Sequence, residues 1–401
     1  MIILQINSVC NSSNSTGRTT FELTEAINAA GHDGYVAYGE GYSDYPNTYF
    51  IGSTLDHKIH AFLSRLTGLQ GYFSNLATKK LINYIKSISP DVVHLRNLHS
   101  NYINIHKLIH YLATNNIAVV VTLHDCFFYT GKCAHYTISD CDGWKKECGN
   151  CPRLQMDNKS WYFDRTKKML MDKRNSFNSI PRLAVVGVSK WITKEAQSSI
   201  LSKATYIETI YNWVDIELFK PTESNLREEL NLEDKFIILG VASKWNNSKG
   251  LDDFIDIANQ FDNRFFILLV GELSEDVILP ENVMHIKRIK HVSELAKYYS
   301  MADVFFNPSI EESFGKVTVE SLACGTPVVV YKTTACPELV GDRCGGVVDL
   351  HHTKGAYKLI MEIHSNKKSF YSSSCISFVH KKFTKKDGVK KYLNLYKEIS
   401  K

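Results

Sequence analysis

Two carboxylates and the polar turn between them form the segment of the sequence best suited to chemistry. Glu312 and Glu320 lie eight residues apart, between the apolar runs 304–306 and 328–330. Carboxylates accept hydrogen bonds from the vicinal hydroxyls of a sugar or a ribose, and the N–H groups at the start of a helix bind anions. The residues between the carboxylates that would contribute to such a site are Ser313, Phe314, Gly315, Lys316 and Val317. From the spacing alone, a structural loop whose Glu320 favours a helix N-terminus remains the alternative.

The first half of the chain offers two further candidate positions. His124 follows the apolar run 119–123, which places it at the carboxyl end of a predicted strand, and its alternative role is a capping or core histidine. The polar loop 11–18 follows the first predicted strand, and Gly17 precedes a predicted helix that begins at Thr19. A loop in this position would approach a diphosphate or an acceptor, with Gly17 favoured over Arg18.

An insertion rich in cysteine follows His124. Four thiols from one irregular segment can build a tetrahedral structural zinc site, and a Cys-x-x-Cys end is typical of such sites. A cluster of reduced thiols is an equally weighted alternative, and a redox pair is a third. The four predicted zinc ligands are Cys133, Cys141, Cys148 and Cys151.

The elements that must position these residues alternate between strands and helices. Near-continuous apolar runs such as 236–240 and 265–271 predict strands that are buried on both faces, as in parallel sheets. The same order of elements appears twice, so two similar domains are predicted, with a boundary near 210–221. The tail 378–401 carries apolar residues at helical spacing and a lysine-rich opposite face, which predicts a helix docked on the protein, with membrane-surface contact as the alternative.

Length and composition agree with this organisation. The chain has 401 residues, 44% of them hydrophobic, and a formal net charge of +5. No apolar run approaches the ~20 residues of a membrane helix, and the start of the chain is too short and too polar for a secretory leader. We therefore expect a cytoplasmic protein, in which the ten cysteines do not form a disulfide scaffold.

Taken in order along the chain, these motifs resemble retaining glycosyltransferase family 4. The signature segment contains Glu312, Phe314-Gly315, Glu320 and Gly325-Thr326-Pro327. The other matching positions, in chain order, are Gly31-His32, His124-Asp125, Ser189-Lys190-Trp191, Tyr211-Asn212-Trp213, Lys249-Gly250 and Ala302-Asp303. The resemblance covers most of the chain and implies an α/β protein of GT-B fold, with two Rossmann-like domains of parallel sheet facing a central cleft. It assigns 1–208 to an acceptor-side domain with the insertion 126–152, 209–377 to a nucleotide-sugar domain, and 378–401 to a C-terminal helix packing back on the first domain.

The resemblance also implies roles for individual residues. Glu320 corresponds to the carboxylate that holds the donor ribose, Glu312 to the one beside the donor sugar, and His124 to a histidine that contacts that sugar. Lys249 corresponds to the lysine that neutralises the diphosphate leaving group. The family usually has an arginine shortly before this lysine, and here Lys244 occupies that region, where an ammonium lacks the bidentate geometry of a guanidinium.

The resulting prediction is a retaining hexosyltransferase that uses no catalytic metal and takes a nucleotide-diphosphate sugar as co-substrate. The acceptor would be a glycan or a lipid-linked saccharide of bacterial surface-polysaccharide synthesis (exopolysaccharide, capsule, O-antigen or lipopolysaccharide), with peripheral contact at the inner membrane face. A nucleotide-sugar epimerase of the same fold is one alternative, and a zinc-dependent nucleic-acid-binding module is another. Dispersed basic residues argue against the nucleic-acid alternative, so no nucleic-acid partner is expected.

Overall fold

The computed structural model describes residues 1–10, 15–287, 289 and 291–401. The chain folds as two compact units. The first contains Met1–Tyr211 together with Val389–Lys401, and the second contains Asn212–Gly388. Half of the loop 11–18 that the sequence assigned to the diphosphate or acceptor lies outside the described residues, since only 15–18 are described.

The first unit is built on a parallel sheet of seven strands. Its strands are β1 (Ile2–Val9), β2 (Asp33–Glu40), β3 (Thr48–Phe50), β4 (Val92–Leu95), β5 (Ala118–Leu123), β6 (Leu183–Gly187) and β7 (Tyr206–Thr209). They are arranged in the order β3-β2-β1-β4-β5-β6-β7. Every residue of β4, β5 and β6 is buried, because helices cover both faces of the sheet and leave no solvent side for polar residues.

The helices of the first unit connect these strands. They are α1 (Ser15–Ala29), α2 (Thr54–Thr67), α3 (Asn75–Ile88), α4 (Ile105–Thr114), the short α5 (Gly143–Lys146), α6 (Thr166–Asn178) and α7 (Lys190–Gln197). Helix α1 begins four residues before the predicted start at Thr19. Gly17 therefore lies inside its first turn and is buried, instead of standing ahead of the helix.

The second unit is built on a parallel sheet of six strands. Its strands are β8 (Phe236–Lys244), β9 (Phe265–Glu272), β10 (Val283–Ile286), β11 (Val304–Asn307), β12 (Val328–Tyr331) and β13 (Gly345–Val348). They are arranged in the order β10-β9-β8-β11-β12-β13. Its helices are α8 (Leu226–Glu229), α9 (Leu251–Ala258), α10 (Val292–Met301), α11 (Lys316–Ala323), α12 (Thr353–Asn366) and α13 (Ser369–Lys382).

The last helix, α14 (Lys385–Ile399), packs on the first unit from Val389 onward. Tyr392, Tyr396 and Ile399 on its apolar face are buried, and the Tyr396 hydroxyl lies 2.7 Å from His94 Nδ1. The lysines of the opposite face, Lys386, Lys390, Lys391 and Lys397, are exposed. Its apolar side is therefore used for packing within the protein.

The strand order of each sheet reverses once, between β1 and β4 in the first unit and between β8 and β11 in the second. In open parallel sheets, the loops that leave the carboxyl ends of two such strands run to opposite faces and open a crevice where ligands bind. Among the described residues, no helix is long and apolar enough to span a bilayer.

Candidate active site

An ion pair stands at the switch point of the second sheet. Lys249 follows β8 and Glu312 follows β11, and the Lys249 ammonium donates to Glu312 Oε1 at 2.5 Å. Strands β8 and β11 are parallel neighbours, so their carboxyl ends bring the two loops to one edge. About a third of the Lys249 side chain and a sixth of the Glu312 side chain remain exposed (31% and 17%). The pair is therefore partly shielded from water and still accessible to a ligand.

The local sequence fixes the position of Lys249. The Asn246 side chain caps the 3-10 turn 247–249 by accepting the Lys249 backbone N–H, and Gly250 follows with a φ of +71°. A Cβ at Gly250 would lie 2.5 Å from Pro308, so glycine allows the loop after β8 to touch the loop after β11. The two loops are also joined by the Ile310 backbone N–H, which donates to the Ser248 carbonyl at 3.0 Å.

The environment of Lys249 keeps its ammonium charged. Burial lowers its pKa, but the Glu312 carboxylate, through its charge and its hydrogen bond, outweighs burial and leaves the pKa above the usual value. A cation held in a partly dry site interacts with an anion more strongly than one in open water. Lys249 is therefore a charged hydrogen-bond donor at this edge of the sheet.

The turn after Glu312 leads directly into α11. Gly315 adopts φ +89° at the N-cap, a conformation that favours glycine, and the helix begins at Lys316. Phe314 is buried and packs edge-on against Phe383 (5.7 Å between ring centres), which anchors the turn. The Ser313 hydroxyl is buried and, within the described part of the chain, has no hydrogen-bond partner. The first N–H groups of α11 and this hydroxyl are donors of the kind that bind phosphate oxygens.

Glu320 lies one turn further along α11 and is 6% exposed. Its Oε2 accepts a hydrogen bond from the Tyr299 hydroxyl of α10 at 3.2 Å. Burial, together with the negative charge of Glu320, raises the pKa of Tyr299, so this hydroxyl stays protonated as a donor. Tyr299 was not predicted from the sequence. Its place on α10 three residues before Ala302-Asp303 carries no local pattern that points to Glu320.

Lys244 is the last residue of β8 and is exposed. Its strand pairs there with Glu272 of β9, after an irregularity in the register between Val241 and Lys244. The second candidate cation therefore stands at the carboxyl end of the same strand that leads to Lys249. Its contribution to a ligand site stays a prediction.

In the first unit, His124 stands directly after β5 as predicted, at the carboxyl edge of that sheet, and is half-buried. Beside it the structure shows a pair that the sequence reasoning missed. His99, from the loop after β4, lies with Nε2 2.8 Å from Asp125 Oδ2. Because β4 and β5 are parallel neighbours, the loops that follow them meet, and this topological rule was the available signal.

The charge states of this pair follow from their mutual contact. Burial lowers the pKa of His99, while the Asp125 charge and hydrogen bond raise it, and the net pKa lies above the usual value. Burial raises the pKa of Asp125, but His99 and the Phe127 backbone N–H lower it further. The pair therefore tends toward imidazolium and carboxylate.

The four cysteines of the insertion come together in the first unit. Cys133, Cys141, Cys148 and Cys151 all line one small cavity of about 20 Å³. The Gly131 backbone N–H donates to the Cys148 sulfur, and the Arg153 backbone N–H donates to the Cys151 sulfur. Each of the ten cysteines is a free thiol.

The fit of this cluster to zinc is incomplete. Four sulfurs around one cavity suit the ion chemically, and two lysines beside the thiols, Lys132 and Lys173, are at most 2% exposed and would offset the net negative charge of a zinc tetrathiolate. However, in the part of the chain that the structure describes, no three His, Cys, Asp or Glu side chains are arranged to hold a metal ion. Zinc at this position stays a prediction.

Comparison with protein families gives a match over both units. A model described as Glycosyltransferase Family 4 matches residues 16–218, which is just over half of the chain. A model described as Glycosyl transferases group 1 matches residues 222–371.

Several curated bacterial proteins are similar to this chain over part of their length. An uncharacterized 41.2 kDa protein in the cps region of Klebsiella pneumoniae is 27% identical over 62% of this chain and 69% of its own length. The D-inositol 3-phosphate glycosyltransferase of Segniliparus rotundus is 30% identical over 35% of each chain. The capsular polysaccharide biosynthesis glycosyltransferase CapM of Staphylococcus aureus is 26% identical over 44% of this chain and 50% of its own.

Solved structures cover the whole chain. Sucrose-phosphate synthase from Thermosynechococcus elongatus aligns with a TM-score of 0.72 at 16% identity, over 100% of this chain and 99% of its own. HepE from Anabaena, solved in complex with UDP, aligns with a TM-score of 0.66 at 16% identity, over 99% of this chain and 100% of its own. These similarities confirm the predicted GT-B fold with two α/β domains of parallel sheet.

The family match agrees with the resemblance drawn from the motifs, and the fold agrees with the architecture that the resemblance implies. The Glu312–Glu320 segment that prompted it occupies the carboxyl edge of the second sheet. The chain belongs to glycosyltransferase family 4.

Proposed function

We propose that this chain transfers a sugar from a nucleotide-diphosphate sugar to an acceptor hydroxyl, with retention at the anomeric carbon. The observation that carries the proposal is the ion pair between Lys249 and Glu312 at the switch point of the second sheet. A departing nucleoside diphosphate gains negative charge in the transition state. An ammonium that is already held in place stabilises that charge without reorganisation.

Each part of the second unit then has a task. The Lys249 ammonium binds the diphosphate, and Glu312 holds that ammonium in position and faces the positive charge that develops on the sugar. The N–H groups of Lys316 and Val317 at the start of α11 bind the phosphate oxygens. Glu320 accepts hydrogen bonds from the ribose hydroxyls, with Tyr299 orienting its carboxylate. In a front-face mechanism the leaving phosphate takes the proton of the acceptor hydroxyl, so no base from the protein and no metal enter the step.

The acceptor side is assigned to the first unit, with His124 toward the donor sugar. The names of the relatives from the cps region and of CapM support a role in capsular or related surface-polysaccharide synthesis, with a glycan or lipid-linked saccharide as acceptor. The exposed lysine face of α14 supports peripheral contact with an anionic membrane surface by charge, since its apolar face is buried.

A thermal-shift screen tests the donor assignment. Purified protein is heated with UDP, GDP, ADP, the matching monophosphates and a panel of nucleotide sugars. We expect one diphosphate and its sugar conjugates to raise the Tm, and HepE, solved with UDP, makes UDP the first compound to try. The anomeric configuration of the product, read by proton NMR at early times, then tests retention. Absence of a shift with all nucleotides would contradict the donor assignment.

A further inference from the structure

The first unit contains a second cavity, separate from the cysteine cluster. Its volume is about 400 Å³, within the range of ~300–1,000 Å³ typical of small-molecule sites. Three separate parts of the chain form it: α2 with the turn after it, the loop after β4, and the segment 157–161 between α5 and α6. The lining residues used below are Arg65, Gln70, Asn101, Asp157 and Trp161.

The wall of this cavity combines an aromatic ring with polar groups of both kinds. Arg65 offers hydrogen-bond donors, Asp157 offers acceptors, and the Asn101 amide offers both. Trp161 adds an indole. A pyranose ring has hydroxyls that donate and accept around its edge and an apolar face of C–H groups, so it needs this combination. A phosphate or a hydrocarbon would need only one part of it.

Trp161 is held firmly although it is 41% exposed. Its backbone N–H donates to the Arg65 carbonyl at 2.7 Å, near the end of α2. Its ring packs edge-on against Phe62, with 5.8 Å between ring centres and 76° between planes. A large aromatic side chain that is fixed and still open to solvent can be covered by a ligand without losing further conformational freedom.

Asn101 gives a separate observation that points to a ligand in this cavity. It adopts a φ of +60°, which is uncommon for a residue other than glycine. Its side-chain Oδ1 is buried and, among the described residues, has no hydrogen-bond partner. A buried polar atom without a hydrogen-bond partner calls for an explanation such as a bound ligand. A ligand hydroxyl in the cavity would donate the hydrogen bond that Asn101 Oδ1 lacks.

A chain of hydrogen bonds joins the cavity to the carboxyl edge of the sheet. Gln70 is 5% exposed, and its Nε2 donates to the His99 carbonyl at 2.6 Å. His99 in turn pairs with Asp125, which follows His124 in the sequence. The cavity is therefore linked to the edge of the first sheet that carries His124.

We propose that this cavity binds a pyranose unit of the saccharide acceptor, with the ring stacked on Trp161 and its hydroxyls bound by Asn101 and Arg65. This assignment rests on the proposed function for its place in the reaction, but binding of a sugar here is measurable without any transfer. Lys159 also lines the cavity, but the carboxylate of Asp157 and the indole of Trp161 fit a saccharide better than a phosphate.

Saturation-transfer NMR on the full chain tests the proposal. The probes are the methyl glycosides of glucose, galactose, mannose, rhamnose and N-acetylglucosamine, at millimolar concentration and without nucleotide. We expect at least one probe to show saturation transfer, and we expect Trp161→Ala to reduce that signal at least fivefold. Tyr162→Ala is the matched control, because Tyr162 is an adjacent aromatic residue that is 70% exposed and does not line the cavity.

A second variant separates binding from folding. Asn101→Gly removes the amide but keeps a residue that tolerates positive φ, so the loop is retained while the signal should fall. Absence of transfer for all five probes, or a signal that survives in Trp161→Ala, contradicts the proposal.

The thermal shift with nucleoside diphosphates is recorded on the same variants. If that shift is unchanged while the sugar signal is lost, the acceptor subsite is supported separately from the donor assignment.

Discussion

The carboxyl edges of the two sheets are built in different ways. In the second unit, short loops after β8 and β11 place Lys249 and Glu312 in direct contact, and one glycine permits their approach. In the first unit, the long and mostly irregular segment 124–165 follows β5 and carries the four cysteines, the buried Lys132 and exposed aromatic residues. A ligand shared by many enzymes, such as a diphosphate, can be held by a short fixed arrangement. A varied acceptor requires a surface that changes through insertions.

Removing the Lys249 ammonium should give the largest loss of activity among the changes considered. We expect Lys249→Ala to lower kcat/KM by one to two orders of magnitude or more, since a charge-assisted bond contributes about 1.5–3 kcal/mol. The fold should be retained, because the side chain is partly exposed. Lys244→Ala serves as the matched control at the exposed end of the same strand and should lose less. Near-normal kinetics for Lys249→Ala would remove it from the site.

Glu320 should act on the nucleotide and not on the sugar. Glu320→Gln keeps the shape of the side chain but removes the charge that accepts from ribose hydroxyls, so donor KM should rise about tenfold, equivalent to ~1.4 kcal/mol. The discrimination between the ribonucleotide and its 2′-deoxy analogue should shrink in parallel. If the variant discriminates between the two as strongly as the parent protein, Glu320 does not contact the ribose.

The insertion should show a structural effect and not a catalytic one. If zinc occupies the four-cysteine cavity, elemental analysis of the purified protein gives about one equivalent per chain, and Cys148→Ser loses it and lowers the Tm. Cys375→Ser, which changes a buried thiol of the other unit, should retain the metal. Less than about half an equivalent in the parent protein would leave a cluster of reduced thiols as the correct interpretation.

The smallest effect, a pH-dependent change in Tm, is expected from disrupting the His99–Asp125 pair. The folded-state pKa of His99 is raised, so its contribution to stability is complete below the unfolded value of about 6.5 and is lost as pH rises through the folded value. The folded-state pKa of Asp125 is lowered, so its contribution is lost at acid pH. The Tm difference between parent protein and His99→Gln should therefore be largest near pH 5.5–6 and smaller by about pH 9. An equal difference at both pH values would contradict the charged pair.

Much of the second unit could be predicted because its signals are local. The apolar runs 236–240 and 265–271, predicted as strands, lie within β8 and β9, and Lys249 and Glu312 follow apolar runs that form adjacent strands. Parallel topology then requires the ends of these strands to meet. The start of α1 was predicted four residues late, because serine, threonine and glycine are poor helix formers.

The parts that were missed depend on contacts between distant segments. The Tyr299–Glu320 bond joins two helices, and the sugar-sized cavity needs α2, the loop after β4 and the segment 157–161 in one place. No period or spacing in the sequence encodes such a meeting. The cysteine insertion is a different case: the four predicted ligands line one cavity, but their spacing does not determine whether they converge on a metal.

The central claim is that Lys249 binds the diphosphate of the donor. A calorimetric titration with nucleotides tests it most directly. The nucleoside diphosphate that raises the Tm is titrated into the full chain and into Lys249→Ala, alongside the matching monophosphate. The account predicts that the parent protein binds the diphosphate at least tenfold more tightly than the monophosphate, and that Lys249→Ala removes most of this preference. Equal affinities for the two nucleotides in the parent protein, or an unchanged preference in the variant, would contradict it.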